Sequence, residues 1–181
     1  MGHPLLRMRS EKVDDPASNE VKRLVSNMIS TLNRAKGAGL AAPQVGVLKR
    51  VVIFRVPKER IKEERNSNIV DLTVLVNPKI KILTKKKEMG WEGCLSVPGL
   101  RGIVSRFYSV RYSGYTTDGK KIIREARGFH ARVVQHECDH LDGVLYPMRM
   151  KDMSSLSFTD QLDPDASDLV QARLDTAGSI R

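Results

Sequence analysis

His136-Glu137-Cys138-Asp139-His140 is the stretch from which this chain can be read outward. On an α-helix, residues four apart lie on one face, one turn above the other, so His136 and His140 can offer two ring nitrogens to one metal ion. Glu137 follows His136 and is an i, i+3 neighbour of His140. Its carboxylate can lie beside the ion without binding it, as a base acting on water requires, and this is the mechanical content of the H-E-x-x-H pattern. Cys138 is two residues from either histidine, about 200° around the helix, and should face away from the ion. Upstream, Phe129 and Val133 fall on the histidine face; downstream, Leu141 extends the apolar run and Gly143 can end the helix in a left-handed conformation. Five residues alone also fit a buried helix with two hydrogen-bonded histidines, because short patterns recur by accident.

Around this helix the chain has the length and composition of one globular domain. It has 181 residues, of which 40% are apolar, enough to bury a core and too many for a disordered chain. No apolar run is long enough for a signal peptide or a membrane span, and two cysteines make no disulfide framework. A reducing cytoplasm is the expected compartment. The net charge of +10 is uneven: residues 151–181 hold three Lys/Arg against six Asp/Glu, leaving 28 against 15 in residues 1–150. A body at +13 attracts polyanions, RNA-rich particles among them, although ordinary solubility charge has the same appearance.

Asp15-Pro16 offers a helix start. Val21, Leu24, Val25, Met28, Ile29 and Leu32 then recur at i, i+3, i+4, i+7, i+8 and i+11, an amphipathic core helix that Gly37 can cap. Residues 51–56, 72–76, 79–83, 108–112 and 122–126 read as strands, the last two flanking the turn signal Thr117-Asp118-Gly119. Residues 57–71 read as an exposed loop and Lys85-Lys86-Lys87 as a solvated turn or edge. Strands followed by a helix, without β-α alternation, indicate an α+β fold. Residues 1–150 are expected to form the domain and 151–181 an extension, with a turn at 162–165, a short helix over 167–174 and a frayed end.

A catalytic metal usually takes three protein ligands and leaves a position for water. Cys94, in Glu92-Gly93-Cys94-Leu95-Ser96, is the leading candidate for the third, where a tight turn can aim a thiolate inward. The alternative is a small buried hydrophobe. Gly37 to Gln44, small and glycine-rich, leaves room for an extended peptide, reads on its own as no more than a tight structural loop, and makes a poor phosphate cradle, because no Lys-Ser/Thr follows it.

These three stretches, Gly37 to Gln44, Glu92 to Ser96 and Gln135 to Leu141, resemble the three signature motifs of the peptide deformylases, in order, over roughly residues 2–150. The resemblance implies antiparallel β-sheets packed around a central helix that carries the two histidines. It makes Cys94, His136 and His140 the metal ligands, Glu137 the acid/base, and Gln44 with the Leu95 N–H the oxyanion donors. It also places Gly39 against the substrate backbone and Arg101 near the cleft. The implied reaction is hydrolysis of the N-formyl group from the initiator methionine of nascent polypeptides. The implied metal is one divalent ion, Fe2+ in cells, with Zn2+, Ni2+ or Co2+ able to replace it. Phe129 and Val133 are candidates for the wall of a methionine pocket or for core alone, and Arg132 for a stem on the same face with its charge in solvent.

In several bacterial members the extension beyond the domain is a basic helix that docks on the ribosome. Here it carries −3, so any ribosome contact is expected through the basic body. A monomer is the expected state, and whether a few residues precede Met1 is open. Two rivals stand beside this reading. A zincin-type metallopeptidase shares both histidines and the Glu but typically takes a third histidine or a carboxylate as ligand. A metal-stabilised RNA-binding protein would suit the charge, but aromatic residues are only 5%.

Overall fold

The amphipathic stripe between residues 21 and 32 forms a helix because its apolar side chains share a face and find a sheet to cover. The computed structural model describes residues 1–58 and 69–162. Helix α1, Asn19–Ala35, buries Val21, Val25, Met28 and Leu32. It starts later than Asp15-Pro16 suggests. Asp15 accepts the Ala17 N–H at 2.8 Å in a local turn, while the Ser18 hydroxyl caps the helix by accepting from Val21 at 3.3 Å. Its end also differs from expectation. Lys36, with φ 51°, adopts the left-handed conformation. Gly37 is needed for closeness instead, since a Cβ there would lie 2.8 Å from Leu32 Cδ1.

Strands β1 (Gly39–Ala41), β2 (Val51–Val56), β3 (Val70–Ile82), β6 (Ser109–Tyr115) and β7 (Lys121–Arg127) form one antiparallel sheet in the order β1-β2-β3-β6-β7. Strands β4 (Lys87–Cys94), β5 (Val97–Phe107) and β8 (Ser157–Phe158) form a second, in the order β4-β5-β8. Helix α2, Gly128–Leu141, carries His136 to His140. The period-2 alternation of β2 divides its side chains between two cores. Val51 and Ile53 pack with Met28 and Leu32 under α1, while Val52 and Phe54 pack with Val134, Cys138 and Leu141 under α2. The first sheet is therefore covered by a helix on each face near β2, which is why residues 51–54 form a continuous apolar run. The α+β class and the antiparallel sheets around the motif-bearing helix are as expected from sequence.

Residues 72–76 and 79–83, read as separate strands, belong mostly to one. Asn77 (φ 53°) and Pro78 form a bulge at which the pairing with β6 shifts between Val76 and Lys79. The Asn77 side chain exchanges two hydrogen bonds with the Val13 backbone, at 2.8 and 2.9 Å, and so ties the N-terminal segment to the sheet. The β4–β5 hairpin was not legible as strands. Lys85 and Lys86 lie in the preceding turn and Lys87 begins edge strand β4, in keeping with the reading of that tract. Gly143, φ 72°, follows α2 as a left-handed terminator, and a Cβ there would overlap the Arg7 carbonyl. The expected loop at 57–71 falls mostly on residues 59–68, outside the described residues; Val70 and Asp71 already belong to β3. The expected turn at 162–165 lies almost wholly beyond the described residues, and the helix over 167–174 entirely so.

Candidate active site

Helix α2 sets His136 and His140 one turn apart, edge to face, with ring centroids 5.1 Å apart. Strand β4 ends at Cys94, whose Sγ lies 3.3 Å from His140 Nε2. One ligand atom from each of Cys94, His136 and His140 lies within 4.8 Å of the other two, close enough to share one ion. Two imidazoles and a thiol suit a divalent transition metal, and these residue types leave iron, zinc, nickel and cobalt all admissible. The surroundings also favour a cation. Burial opposes charge on His136, yet Cys94, Glu92 and Glu137 outweigh it and hold its pKa well above the ordinary value. Burial, followed by the neighbouring His136, pushes His140 down to about 3, so its ring is neutral and able to ligate.

Glu92 orients the first imidazole. Its Oε2 accepts from His136 Nδ1 at 2.8 Å, which leaves Nε2 to face Cys94. Arg106 binds the same carboxylate through Nε and Nη2, both at 2.9 Å, and Arg132 Nη1 adds a contact at 3.0 Å. Burial raises the Glu92 pKa, but Arg106 and then His136 prevail and hold it well below the usual carboxylate range. Arg106 continues to Asp139 at 2.5 Å, and Arg149 reaches Asp139 at 2.7 Å. The sequence reading placed the Arg132 charge in solvent; it is buried, donating also to the carbonyls of Glu88, Gly90 and Val104. Gly90 makes this possible, because a Cβ there would lie 2.7 Å from Arg132 Nη2. A strand reading of 87–94 would have signalled Glu92, since residues 90, 92 and 94 share a face.

Glu137 is 4% exposed, and its Oε2 has no hydrogen-bond partner among the described residues. Burial pushes its pKa up to about 7, with the charge of His136 opposing. A Cβ on Gly39 would overlap the Glu137 carboxylate, so only glycine lets β1 lie against it. Gln44 Oε1 accepts the Ala41 N–H at 2.8 Å, which turns Nε2 towards Ser96 Oγ at 3.1 Å and Cys94 Sγ at 3.5 Å. Leu95 is the first of two turn residues between β4 and β5, and its N–H lies outside the ladder. Cys138 is buried in the core beneath α2 and outside the ligand cluster, as its position on the helix predicts; burial pushes its thiol pKa up.

A cleft of about 730 Å³ opens over these groups. Phe129, Val133, Leu95 and Arg101 all line it, with Trp91. Phe129 and Val133 line the cleft and each also packs against the core under α2, so neither is core alone. The cleft is lined by Gly39, Gln44, Cys94, Leu95, Arg101, Phe129, Val133, His136 and Glu137, with His140 buried beside Cys94; Glu92, which carried no expected role, contacts His136 and also lines the cleft.

The family model of polypeptide deformylases matches residues 1–155. The chain belongs to the polypeptide deformylase family. It is 50% identical to peptide deformylase 1 of Bordetella pertussis, over 91% of this chain and 93% of that protein. It is 48% identical to peptide deformylase 1 of Nitrosomonas europaea, over 91% and 92%. Among solved structures it resembles a class I type b deformylase from Acinetobacter baumannii determined with Met-Ala-Ser bound, with TM-score 0.76, 36% identity, and 83% of this chain and 94% of that one covered. The deformylase reaction is hydrolysis of the N-formyl group from the N-terminal formylmethionine of newly made polypeptides, with release of formate. A zincin-type metallopeptidase typically takes a third histidine or a carboxylate as ligand; among the described residues the cluster that could hold a metal ion is Cys94, His136 and His140.

Proposed function

We propose that deformylation runs here through Cys94, His136 and His140 as ligands of one divalent metal ion, Glu137 as acid/base, and Gln44 with the Leu95 N–H as oxyanion donors. The observation that carries this reading is the buried Glu137 Oε2, without a hydrogen-bond partner among the described residues, beside three convergent ligand atoms. A divalent ion bound there supplies Lewis acidity, polarising a carbonyl and lowering the pKa of water to about 7. Glu137, whose pKa burial raises above the ordinary carboxylate range, can accept a proton from attacking water and return it to the departing methionine amine. Gln44 Nε2 is fixed by the Ala41 contact, so it meets developing negative charge without reorganising.

The substrate backbone is read by β1. Ala38 accepts the Arg55 N–H at 2.8 Å, so by antiparallel alternation the next residue, Gly39, turns its N–H and carbonyl away from β2. That side of β1 is a sheet edge, where an extended peptide adds as a strand. Phe129 and Val133 wall the pocket for the unbranched methionine side chain, and Arg101 stands at the cleft for the residues that follow. Fe2+ is the metal in cells, with Zn2+, Ni2+ or Co2+ able to replace it. The enzyme acts as a monomer in the bacterial cytoplasm, and its basic body associates with ribosomes. Residues 1–150 are the catalytic domain and 151–181 an extension.

Anaerobic purification, metal analysis and formate release from a formylmethionyl peptide on one sample test the reading. One equivalent of metal and stoichiometric formate are expected. Glu137→Gln should keep the metal and lose about 10²–10⁴ in rate; unchanged formate release by that variant rejects the acid/base assignment.

A further inference from the structure

A second cleft, of about 700 Å³, lies across α2 from the catalytic one. Phe129, Val133, His136 and Glu137 face the catalytic cleft, whereas Gln135, Cys138, Asp139 and the following Asp142 line the second. These are the two opposite stripes of one helix, so the clefts are separated by about one helix diameter, roughly 10 Å.

Charge is the second cleft's distinguishing property. Six cations and two carboxylates line it, a local balance of +4. Both carboxylates are already held: Asp139 by Arg106 at 2.5 Å and Arg149 at 2.7 Å, and Asp142 by Arg50 at 2.8 Å. That leaves Lys79, Lys87 and Lys151, exposed and, among the described residues, without a carboxylate partner. Lys87 rests over the Phe107 ring, 4.6 Å from its centroid. Exposed lysines are hydrated point charges on flexible stems. They suit successive phosphates of a polyanion better than a single bidentate anion. The arginines lock the cleft floor to α2 and leave the lysines at its rim.

We propose that this cleft docks the phosphate backbone of ribosomal RNA, leaving the catalytic cleft on the far side of α2 free for the emerging chain. The proposal rests on the ribosome association proposed above and gives it a surface.

The test is co-sedimentation of the full chain with bacterial 70S ribosomes across a salt series, and binding to protein-free ribosomal RNA. Two triple variants are compared: Lys79→Gln/Lys87→Gln/Lys151→Gln in the cleft, and Lys22→Gln/Arg23→Gln/Arg34→Gln on α1, away from both clefts. Formate release from a formylmethionyl tripeptide should be equal for all three proteins. The cleft variant should bind both probes about tenfold or more weakly at ~0.1 M salt, with its log Kd against log salt slope reduced by about 2–3. The α1 variant should bind like the wild type. Equal binding by the cleft variant, or equal loss by both variants, overturns the cleft while ribosome association stands. Ribosome binding without binding to protein-free RNA overturns RNA as the occupant. If the wild type fails to sediment with ribosomes at low salt, the association itself fails and the cleft proposal with it.

Discussion

Replacing Glu92 with glutamine would keep the size of the side chain and remove the charge on which three neighbours depend. The carboxylate accepts from Arg106 twice at 2.9 Å, Arg132 at 3.0 Å and His136 Nδ1 at 2.8 Å. Glutamine retains one oxygen and puts an amide donor where the other stood, so whichever way it turns, donor faces donor. Arg106 and Arg132 are 6% and 8% exposed at their side chains and would keep buried charge with less to balance it. Removing one partner of such a cluster costs about 3–5 kcal/mol. Because the Glu92 pKa is held below its ordinary 4.5, this contribution is present at all pH above that value and is lost only as pH falls through the folded value. At pH 7 it should therefore appear in full.

The second consequence is local. With Glu92 accepting at Nδ1, the His136 proton stays there and Nε2 is free for the proposed metal ion. An amide donor at that spot favours the other tautomer, which places a proton on the ligating nitrogen. Loss of such a supporting contact typically weakens metal affinity about 10–100-fold. Urea unfolding of the metal-loaded and metal-free forms, with a chelator competition, separates the two effects. If Glu92→Gln lowers stability by less than about 1 kcal/mol and leaves metal affinity within twofold, the network has been given a role it does not have.

Gly39→Ala should displace the Glu137 carboxylate, because the new Cβ would lie 2.5 Å from Glu137 Cδ. A misplacement near 1 Å costs about 10²-fold in kcat/KM, and metal content should be unchanged. Gln44→Met should lower kcat by about 10²–10³, with KM changed far less; a loss confined to KM would remove Gln44 from the oxyanion site. His130, 6% exposed between Phe54 and Tyr112, is pushed down by burial, then by Arg124, to about 4 from 6.5. Its unfolded form binds the proton first, so stability is intact above pH 6.5 and falls as pH drops towards 4, by about 3 kcal/mol over the range. His130→Leu, which cannot titrate, should flatten that slope in denaturant titrations at several pH values.

Local periodicity was enough for much of this molecule. The 3.6-residue stripe from Val21 to Leu32 and the four-residue spacing of His136 and His140 need no partner to be seen, since a helix sets both within its own turns. Runs such as 51–56 are apolar enough to declare a strand. The β4–β5 hairpin hid for the opposite reason. Gly90, Gly93, Pro98, Gly99 and Gly102 break its β pattern, and its inward-facing polar residues, Glu92 and Arg106, are tolerated only because each satisfies the other. Ser18 rather than Asp15 caps α1, because the Asp15 carboxylate is taken up by a local turn on the Ala17 N–H.

The sequence by itself determined the two imidazoles one helical turn apart, the neighbouring carboxylate and the family to which they belong, because those relations are written within a few residues. Only the tertiary structure decided that the Cys94 thiol lies 3.3 Å from His140, more than forty residues later in the chain. It also decided that Gly39 makes way for Glu137, and that Glu92 joins a histidine to two buried arginines. Those contacts join segments far apart along the chain. Their cost in desolvation and order is offset only when all the partners arrive together.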